Sequence, residues 1–426
     1  MIPKRFVLVA GTFLLSLLLY IDRTCISLAK EDISRELHLT NEHWAWVLAA
    51  FAFGYALFQT PGGMMADRLG ARVVLTSVVT LWSIFTGLSA LAWNLSSLLV
   101  IRFLFGAGEA GAFPGMAKVV YSWVPVPERG LVKGINFSGS RFGAAIAMPG
   151  IAWLIHLIGW KPTFAVLMVT GFIWAFLWWR LFRDEPSDQP SLSKQELDYI
   201  LSNRQQSTAT SIAAENDAPA GTMAFVTSGN LWLMMVQYFA SNFTFFFSLT
   251  WLYPYVQKKY NLTAVDAGFY AMLPLLAGAA GNIFSGWLVD ALYRRGFTSI
   301  SRKVPAIIGF SLAAIGMIMS SDQATAGAAI FWLSIAIFGA DMTLAPSWSF
   351  CIDIGGKQAG AVSGTMNMAG NLGAAITALA FFYLPSTSKN STAFFHTAAI
   401  LSGVAIVCWC LANRHKPIKQ SNNHET

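Results

Sequence analysis

Four charged residues stand in otherwise apolar parts of the sequence: Asp22, Arg23, Arg102 and Glu109. The stretch 73–101, which directly precedes Arg102, contains no Asp, Glu, Lys or Arg. An ionisable side chain at membrane depth costs about 3 kcal/mol or more, so it persists mainly where it faces a cavity and has a function. Carboxylates and guanidinium groups together are typical of a cavity that binds an anion and exchanges protons.

The spacing of Arg102 and Glu109 predicts that both lie on one face of a helix. They are seven positions apart, which is two helical turns, or about 10 Å along the axis. A guanidinium group matches a carboxylate in shape, and a carboxyl group in an apolar setting can exchange a proton near neutral pH. This face is therefore predicted to bind an anion and carry a proton. The alternative is a structural role, with Arg102 paired to Asp22 and Glu109 to Arg23.

Asp22 and Arg23 are adjacent, so on a helix their side chains point about 100° apart. They cannot share one direction, but both can border a wide cavity. The alternative is that they lock the first predicted helix to the fourth.

The composition indicates a polytopic membrane protein in contact with lipid. Of the 426 residues, 55% are hydrophobic and 12% charged, and the mean hydropathy is +0.54. Soluble domains have about 25% charged residues. The net charge of +7 comes largely from cations between apolar runs, which indicates membrane topology rather than nucleic-acid binding. The four cysteines form no metal-ligand pattern.

Twelve runs are long and apolar enough to cross a membrane as helices of about 20 residues. We therefore predict an all-α polytopic membrane protein with twelve transmembrane helices in two six-helix halves. The first run is interpreted as an uncleaved helix, because no small-residue cleavage pattern occurs before Asp22-Arg23 and many similar segments follow. The runs lie near 6–28, 43–66, 72–93, 97–122, 131–155, 161–182, 229–257, 264–290, 304–321, 324–350, 359–383 and 393–412.

A polar stretch separates the halves. It contains a capping-box pattern, Ser193 to Glu196, that predicts a short helix over 197–203. Lys and Arg residues, among them Arg129, Lys133 and Arg302, are about three times as frequent on one predicted side, which places both termini in the cytoplasm. The predicted units are an N-terminal half (1–182), a cytoplasmic linker (183–228), a C-terminal half (229–413) and a cytoplasmic tail (414–426).

A charged motif follows the second predicted helix and recurs after the eighth. Gly63 is followed by Asp67, Arg68 and Arg72, and the same glycine-to-aspartate spacing ends at Asp290. A glycine lets two helices approach closely, and an aspartate at a membrane edge can cap a neighbouring helix. The motif predicts a conformational latch that closes the cytoplasmic side. The alternative is a turn that only sets topology.

The motif Gly-x-x-x-Asp-Arg-x-Gly-x-Arg over 63–72 resembles the signature loop of the major facilitator superfamily. The segments 20–23 and 102–110, with Phe113-Pro114, resemble the anion:cation symporter family, which transports sugar acids and related carboxylates. The resemblance runs from about residue 6 to 413. It implies the major facilitator fold, a monomer, Arg23 beside the substrate, and Asp22 and Glu109 as protonation sites.

Several further residues are predicted to face the substrate. Asn367 matches a position that lines the sugar-acid site in the resembling family, and its amide suits sugar hydroxyls. Tyr55 in the second helix and Trp348 in the tenth are candidates to contact the ligand, although aromatic side chains also fill cores and lipid belts. Arg141 has three open roles: binding a second carboxylate, neutralising Glu109, or reaching toward the membrane surface.

No phosphate-binding loop, metal-ligand cluster or cofactor motif is present, so we expect neither an enzyme nor an ATP-driven pump. Together with the resemblance to the anion:cation symporter family, which implies a sugar acid such as a hexuronate, aldonate or aldarate and a bacterial inner membrane, the sequence predicts a proton-coupled importer of a small organic anion. The alternatives are a facilitator or exporter of another solute and a non-transporting membrane sensor.

Overall fold

The computed structural model describes residues 3–204, 227–383, 391–414 and 418. These residues form α-helices and short 3-10 turns, and no strand occurs among them. The helices of the first half are α1 Lys4–Leu28, α2 Lys30–Glu36, α3 Asn41–Leu69, α4 Ala71–Ser89, α5 Leu95–Glu109, α6 Ala112–Trp123, α7 Arg129–Ile158 and α8 Trp160–Leu181, followed by α9 Lys194–Asn203. The helices of the second half are α10 Gly229–Thr250, α11 Leu252–Lys259, α12 Ala264–Arg294, α13 Lys303–Ser320, α14 Ala326–Met342, α15 Leu344–Gly355, α16 Ala359–Tyr383 and α17 Ser391–Leu411.

The described helices make twelve crossings in two sets of six, as predicted. α5 with α6 form the fourth crossing and α14 with α15 the tenth; α2, α9 and α11 are short additional helices. Among the described residues, eight helical segments are long and apolar enough to cross a membrane. The protein is therefore a multi-pass membrane protein.

The fourth and tenth crossings are each broken, where the sequence predicted one continuous run. The first break lies at 110–111 and the second at Thr343. Pro114 and Pro346 stand three residues into the helices that follow. A proline lacks the N–H that would bond to the residue four positions earlier, so it interrupts a helix at that point. Both breaks thus have the same local cause.

The two halves repeat one packing plan. In the first half α1 packs on α7, α3 on α5 and α4 on α8; in the second α10 packs on α16, α12 on α14 and α13 on α17. The halves meet through α7 against α12 and α3 against α16. The internal repeat predicted from the recurring motif is therefore visible in the helix packing. The residue boundaries of the four predicted units remain predictions.

One end of the bundle, called the Asp67 end below, carries the described chain ends. The backbone N–H groups of Lys4 and Arg5 donate to the Glu196 carboxylate at 3.0 and 3.1 Å. At the same end, the Arg414 guanidinium lies 3.6 Å from the Asp353 carboxylate. The helix that contains Glu196 begins at Lys194 rather than at 197, and Ser193 caps it by accepting from the Glu196 N–H at 3.2 Å.

Candidate functional site

A cavity lies between the two halves at the level of the broken crossings. It brings together five predicted substrate-binding residues: Arg23, Tyr55, Arg141, Trp348 and Asn367. The rest of its lining is aromatic or uncharged polar, apart from one leucine and one acidic residue. These further residues are Tyr20, Phe113, Phe137, Tyr238, Ser241, Asn242, Phe245, Phe246, Asp341, Leu344 and Asn371.

Arg23 forms an ion pair with Glu109 at the wall of the cavity. The Arg23 Nε donates to Glu109 Oε1 at 2.6 Å, and the Glu109 side chain is only 1% exposed. This pair joins α1 to α5. It is the pairing that the sequence left open as a structural alternative.

Asp22 and Arg102 lie in a second layer behind Arg23. Both are buried, and neither belongs to the cavity lining in this conformation. The Asp22 carboxyl interacts electrostatically with Glu109 and Arg102. The Arg102 guanidinium lies over the rings of Phe51 and Phe105, at 5.0 and 4.7 Å from their centroids. Two carboxylates and two guanidinium groups therefore form one buried cluster.

The cluster has unused hydrogen-bonding capacity. Within the part of the chain that the structure describes, four of its buried polar atoms have no partner: Asp22 Oδ1, Arg23 Nη2, Arg102 Nε and Glu109 Oε2. Leaving a buried polar atom unpaired costs about 1–3 kcal/mol, and more for charged groups. An unpaired buried guanidinium nitrogen also occurs outside this cluster, at Arg302 Nη1, so a role of the cluster in binding a ligand or protons remains a proposal.

The Tyr55 ring packs against the Arg23 guanidinium group. The Arg23 Cζ lies 4.3 Å from the Tyr55 ring centroid and 5.2 Å from the Tyr20 ring centroid. Arg23 is therefore held in an aromatic cradle, with its Nη2 still unpaired. Such contacts orient a cation without neutralising it.

Arg141 pairs with Asp341, an acid that the sequence analysis did not single out. The Arg141 Nε donates to Asp341 Oδ2 at 2.8 Å, and Nη2 donates to Oδ1 at 2.6 Å. Both residues are buried, and the pair joins α7 of the first half to α14 of the second. Of the three roles predicted for Arg141, none included this partner. Its role in substrate binding remains a proposal.

Asn367 and Trp348 mark the second-half wall of the cavity. The Asn367 Nδ2 donates to Gln59 Oε1 at 2.6 Å across the halves. The Trp348 indole N–H donates to the Tyr238 hydroxyl at 2.8 Å. The Trp348 ring packs on Phe113 and Phe137, with centroids 5.8 and 5.5 Å away. All three rings line the cavity, and each lies nearer the Asp67 end of its crossing than Glu109, Arg141 or Asp341, so they form the wall on that side.

The two aspartates of the predicted latch make equivalent contacts with backbone N–H groups, and Asp67 also lies 3.7 Å from the Lys118 ammonium group. Asp67, near the end of α3, accepts from the N–H groups of Gly360 and Ala361 at 3.0 and 2.7 Å. Asp290, near the end of α12, accepts from the N–H groups of 130 and 131 at 2.8 and 2.7 Å. Each aspartate thus caps the first turn of a helix in the other half, where a negative charge is favourable.

Glycines allow these caps to form. A Cβ on Gly63 would lie 2.2 Å from the Gly360 oxygen, and one on Gly286 would lie 2.5 Å from the Gly130 oxygen. The helices therefore touch backbone to backbone at both places.

The two latch arginines do not reach the other half. The Arg72 guanidinium donates to the Trp179 carbonyl of the first half at 2.7 and 3.0 Å, and Arg68 is exposed. The switching role of the motif remains a proposal.

A further contact between the halves was not predicted. Asp353 accepts from Arg129 of the first half at 2.9 Å and from Arg302 at 3.2 Å. Both arginines were counted among loop cations, but both are fully buried.

A signal for Asp341 was present in the sequence. It is the only charged residue between 323 and 352, so the rule that selected Arg102 applies to it equally. Asp353 and Lys133 carried no such signal, because each lies near the predicted end of a helix, where charges are common. The described residues contain no cluster of metal ligands.

The sequence model of the family described as "Major Facilitator Superfamily" matches residues 12–378 of this chain. The chain belongs to this superfamily. Its twelve crossings in two halves are the major facilitator fold, and the protein is a membrane transporter rather than an enzyme.

Curated relatives cover almost the whole chain. The probable sulfoacetate transporter SauU of Cupriavidus necator is 30% identical over 97% of this chain and 94% of its own length. The probable galactarate/D-glucarate transporter GarP of Escherichia coli is 30% identical over 96% of this chain and 94% of its own length. Among solved structures, the proton:xylose symporter XylE has a TM-score of 0.76 at 16% identity, and each chain is 98% covered. That likeness concerns the fold alone.

Proposed function

We propose that this transporter imports a small organic anion, a sugar acid such as a hexuronate, aldonate or aldarate, together with protons across a bacterial inner membrane. The observation that carries the proposal is the Arg23–Glu109 ion pair at the cavity wall, bonded at 2.6 Å. A guanidinium group that faces a cavity can bind a carboxylate. Because Glu109 pairs with the same guanidinium group, protonation of Glu109 and binding of the substrate anion at Arg23 can be coupled. The names of the curated relatives agree with an organic acid as substrate.

The charge balance of the buried cluster supports coupling. With Asp22 and Glu109 ionised, their two negative charges offset Arg23 and Arg102. Protonation of Glu109 would release the Arg23 Nε, and the freed guanidinium would bind the substrate carboxylate. Protonation of one acid leaves one positive charge, which a monoanion such as a hexuronate or aldonate would neutralise. Protonation of both acids leaves two positive charges, which a dianion such as an aldarate would neutralise. A loaded carrier and an empty carrier are then both close to neutral, so both can reorient, whereas partly loaded states are charged and held back.

Residues around Arg23 would select the substrate. Tyr55 would hold the guanidinium in place, and Asn367 with Asn371 would bond sugar hydroxyls. Arg102 lies behind Arg23, so we propose that it binds the carboxylate only after the acids are protonated.

We place the Asp67 end in the cytoplasm, on the basis of the distribution of Lys and Arg along the sequence. The described contacts between the halves run from the Asp67 and Asp290 caps to the level of Asn367 and Asp341. We infer that this conformation is closed to the cytoplasm and that the cavity is reached from outside. Import then requires the caps to break, which is the latch role proposed for Gly63, Asp67, Arg68, Arg72 and Asp290.

The test is uptake into proteoliposomes with an imposed inside-alkaline gradient. Labelled galactonate, glucuronate, glucarate, tartrate and sulfoacetate are compared in parallel. Accumulation of one or more acids that collapses with a protonophore supports the proposal. Arg23→Gln should abolish this uptake, whereas Arg35→Gln, at an 80% exposed side chain, should not.

A folded preparation that transports none of these acids would contradict the substrate class. Gradient-independent equilibration of an acid would instead favour a facilitator.

A further inference from the structure

Lys133 on α7 is a buried cation outside the cavity. Its side chain is 1% exposed. Within the described residues its ammonium group has no carboxylate or hydrogen-bond partner; it lies 4.8 Å from the centroid of the Trp348 ring. By contrast, the buried guanidinium groups of Arg129, Arg141 and Arg302 each contact a carboxylate. Lys133 therefore differs from these three. Arg102 also forms no ion pair within the described residues, but it still interacts electrostatically with Glu109 and Asp22.

The position of Lys133 along α7 places it between two functional layers. One turn toward the Asp67 end, Arg129 bonds Asp353 and helps to close the halves. One turn in the other direction, Phe137 lines the cavity and packs on Trp348, with centroids 5.5 Å apart. Lys133 thus lies just beyond the aromatic layer that closes the cavity toward the Asp67 end.

A lysine without an acid partner is an unfavourable choice for a structural core position. Methionine or leucine would fill the same space without burying an amine. The surroundings of Lys133 are apolar and contain sulfur atoms. Cys351 is fully buried and interacts electrostatically with Lys133. The Cys351 Sγ lies 3.3 Å from the Met366 sulfur. The cation is therefore retained at a cost that packing alone does not explain.

We propose that Lys133 is a second anion-binding residue, which receives the acid group of the substrate on the release path. When the Asp67 end opens, the Phe113–Phe137–Trp348 layer separates and Lys133 becomes accessible to water. It is then the first cation beyond that layer with no internal acid to neutralise it. The ligand is the carboxylate or sulfonate of the transported acid. This inference rests on the proposed function for the identity of the ligand, although not for the exposure and charge of Lys133.

The neighbouring thiol provides a test that does not depend on transport. In a background of Cys25→Ala, Cys408→Ala and Cys410→Ala, Cys351 is the only cysteine of the chain. Its reaction with an anionic and a cationic methanethiosulfonate is timed from the Asp67 side of oriented vesicles. Lys133 should favour the anionic reagent, and Lys133→Gln should lower the anionic-to-cationic rate ratio about tenfold, because one charge near the thiol affects the two reagents in opposite directions. Lys133→Arg should keep the ratio.

A ratio that is unchanged in Lys133→Gln, with Cys351 reactive, would overturn the inference. The inference would also be overturned if Cys351 stays unreactive in vesicles that transport, because the region around Lys133 would then remain closed throughout the transport cycle. The two ways of being wrong are distinguishable. If the proposed function is wrong, the vesicles transport no acid, but the charge selectivity at Cys351 is still observed.

If the triple cysteine variant does not fold, substrate efflux tests the same point in the native background. Lys133→Met should raise the KM for efflux from the Asp67 side about tenfold and leave the KM for uptake from the opposite side unchanged, whereas Lys133→Arg should restore efflux. Equal changes on both sides would contradict a release site.

Discussion

Glu109 and Asp341 occupy equivalent positions in the two halves. Each precedes by five residues the proline that breaks the fourth crossing of its half, Pro114 or Pro346. Each also accepts from an arginine that lines the cavity: Glu109 accepts one hydrogen bond, at 2.6 Å, from the partly buried Arg23, and Asp341 accepts two, at 2.8 and 2.6 Å, from the buried Arg141. The repeat therefore places one acid–arginine pair on each side of the cavity. Only the pair in the first half lies within a single half; the other joins the two halves.

Replacing Glu109 with glutamine should uncouple transport from protons. Glutamine keeps the shape of the side chain and can still bond Arg23, but it cannot take up and release a proton. We expect gradient-driven accumulation of the acid to fall to about the level of simple equilibration, whereas exchange of internal for external substrate continues. Both are measured in the same proteoliposomes.

The matched control is Glu42→Gln, at an exposed position near the start of α3. Full proton-driven uptake by Glu109→Gln would show that the coupling acid lies elsewhere, with Asp22 the next residue to change.

Breaking the Arg141–Asp341 pair should destabilise the fold. Asp341→Asn leaves the arginine buried without its counter-ion, and losing one partner of a buried pair costs about 3–5 kcal/mol. Replacing both residues, as Arg141→Met with Asp341→Leu, removes the unpaired charge and should cost less than either single change. Denaturation in detergent, followed by tryptophan fluorescence, measures each variant.

The exposed Lys161–Glu36 pair provides the comparison, because its side chains are 46% and 42% exposed. Lys161→Ala should change the free energy of unfolding by no more than about 1 kcal/mol. An Asp341→Asn variant as stable as the parent would mean that water or a ligand satisfies Arg141.

The sequence was sufficient for the fold because membrane crossings are long apolar runs. It also located Asp67 and Asp290, since the glycine-to-aspartate spacing recurs. It did not reveal which charges pair: Arg141 and Asp341 are 200 positions apart, and no local pattern links them. Lys133 was interpreted from the sequence as a loop cation, because a charge near the end of a helix has the same sequence pattern whether it faces water or the protein interior.

Tyr55 should contribute to substrate affinity through its ring rather than its hydroxyl group. The ring centroid lies 4.3 Å from the Arg23 Cζ, and a buried cation–π contact is worth about 0.5–2 kcal/mol. Tyr55→Leu should therefore raise the KM for uptake about 2- to 30-fold, whereas Tyr55→Phe should remain close to the parent. Equal losses in the two variants would assign the effect to the hydroxyl group instead.

Removing the charge of Asp67 or Asp290 should favour the state that is open at the Asp67 end. Asparagine keeps one acceptor oxygen but loses a charge-assisted bond to a helix N-terminus, worth about 1.5–3 kcal/mol. We expect Cys351 to react about 10- to 150-fold faster from that side in either variant, because the two caps are equivalent. Asp188→Asn, at an exposed position after α8, should have no effect. Acceleration in only one variant would show that the two halves do not share the closing contact equally.

Asn367 should distinguish hydroxylated from unhydroxylated acids. Its amide lines the cavity and donates to Gln59 Oε1 at 2.6 Å, and an unmet polar contact costs about 1–3 kcal/mol. Asn367→Ala should raise the KM for a sugar acid about 5- to 150-fold and change that of a small acid without hydroxyl groups less than about twofold. Gln59→Ala removes the same contact between the halves without removing a group from the cavity lining. If it reproduces the effect on both acids, Asn367 acts by joining the halves; if it spares the sugar acid, Asn367 contacts the substrate.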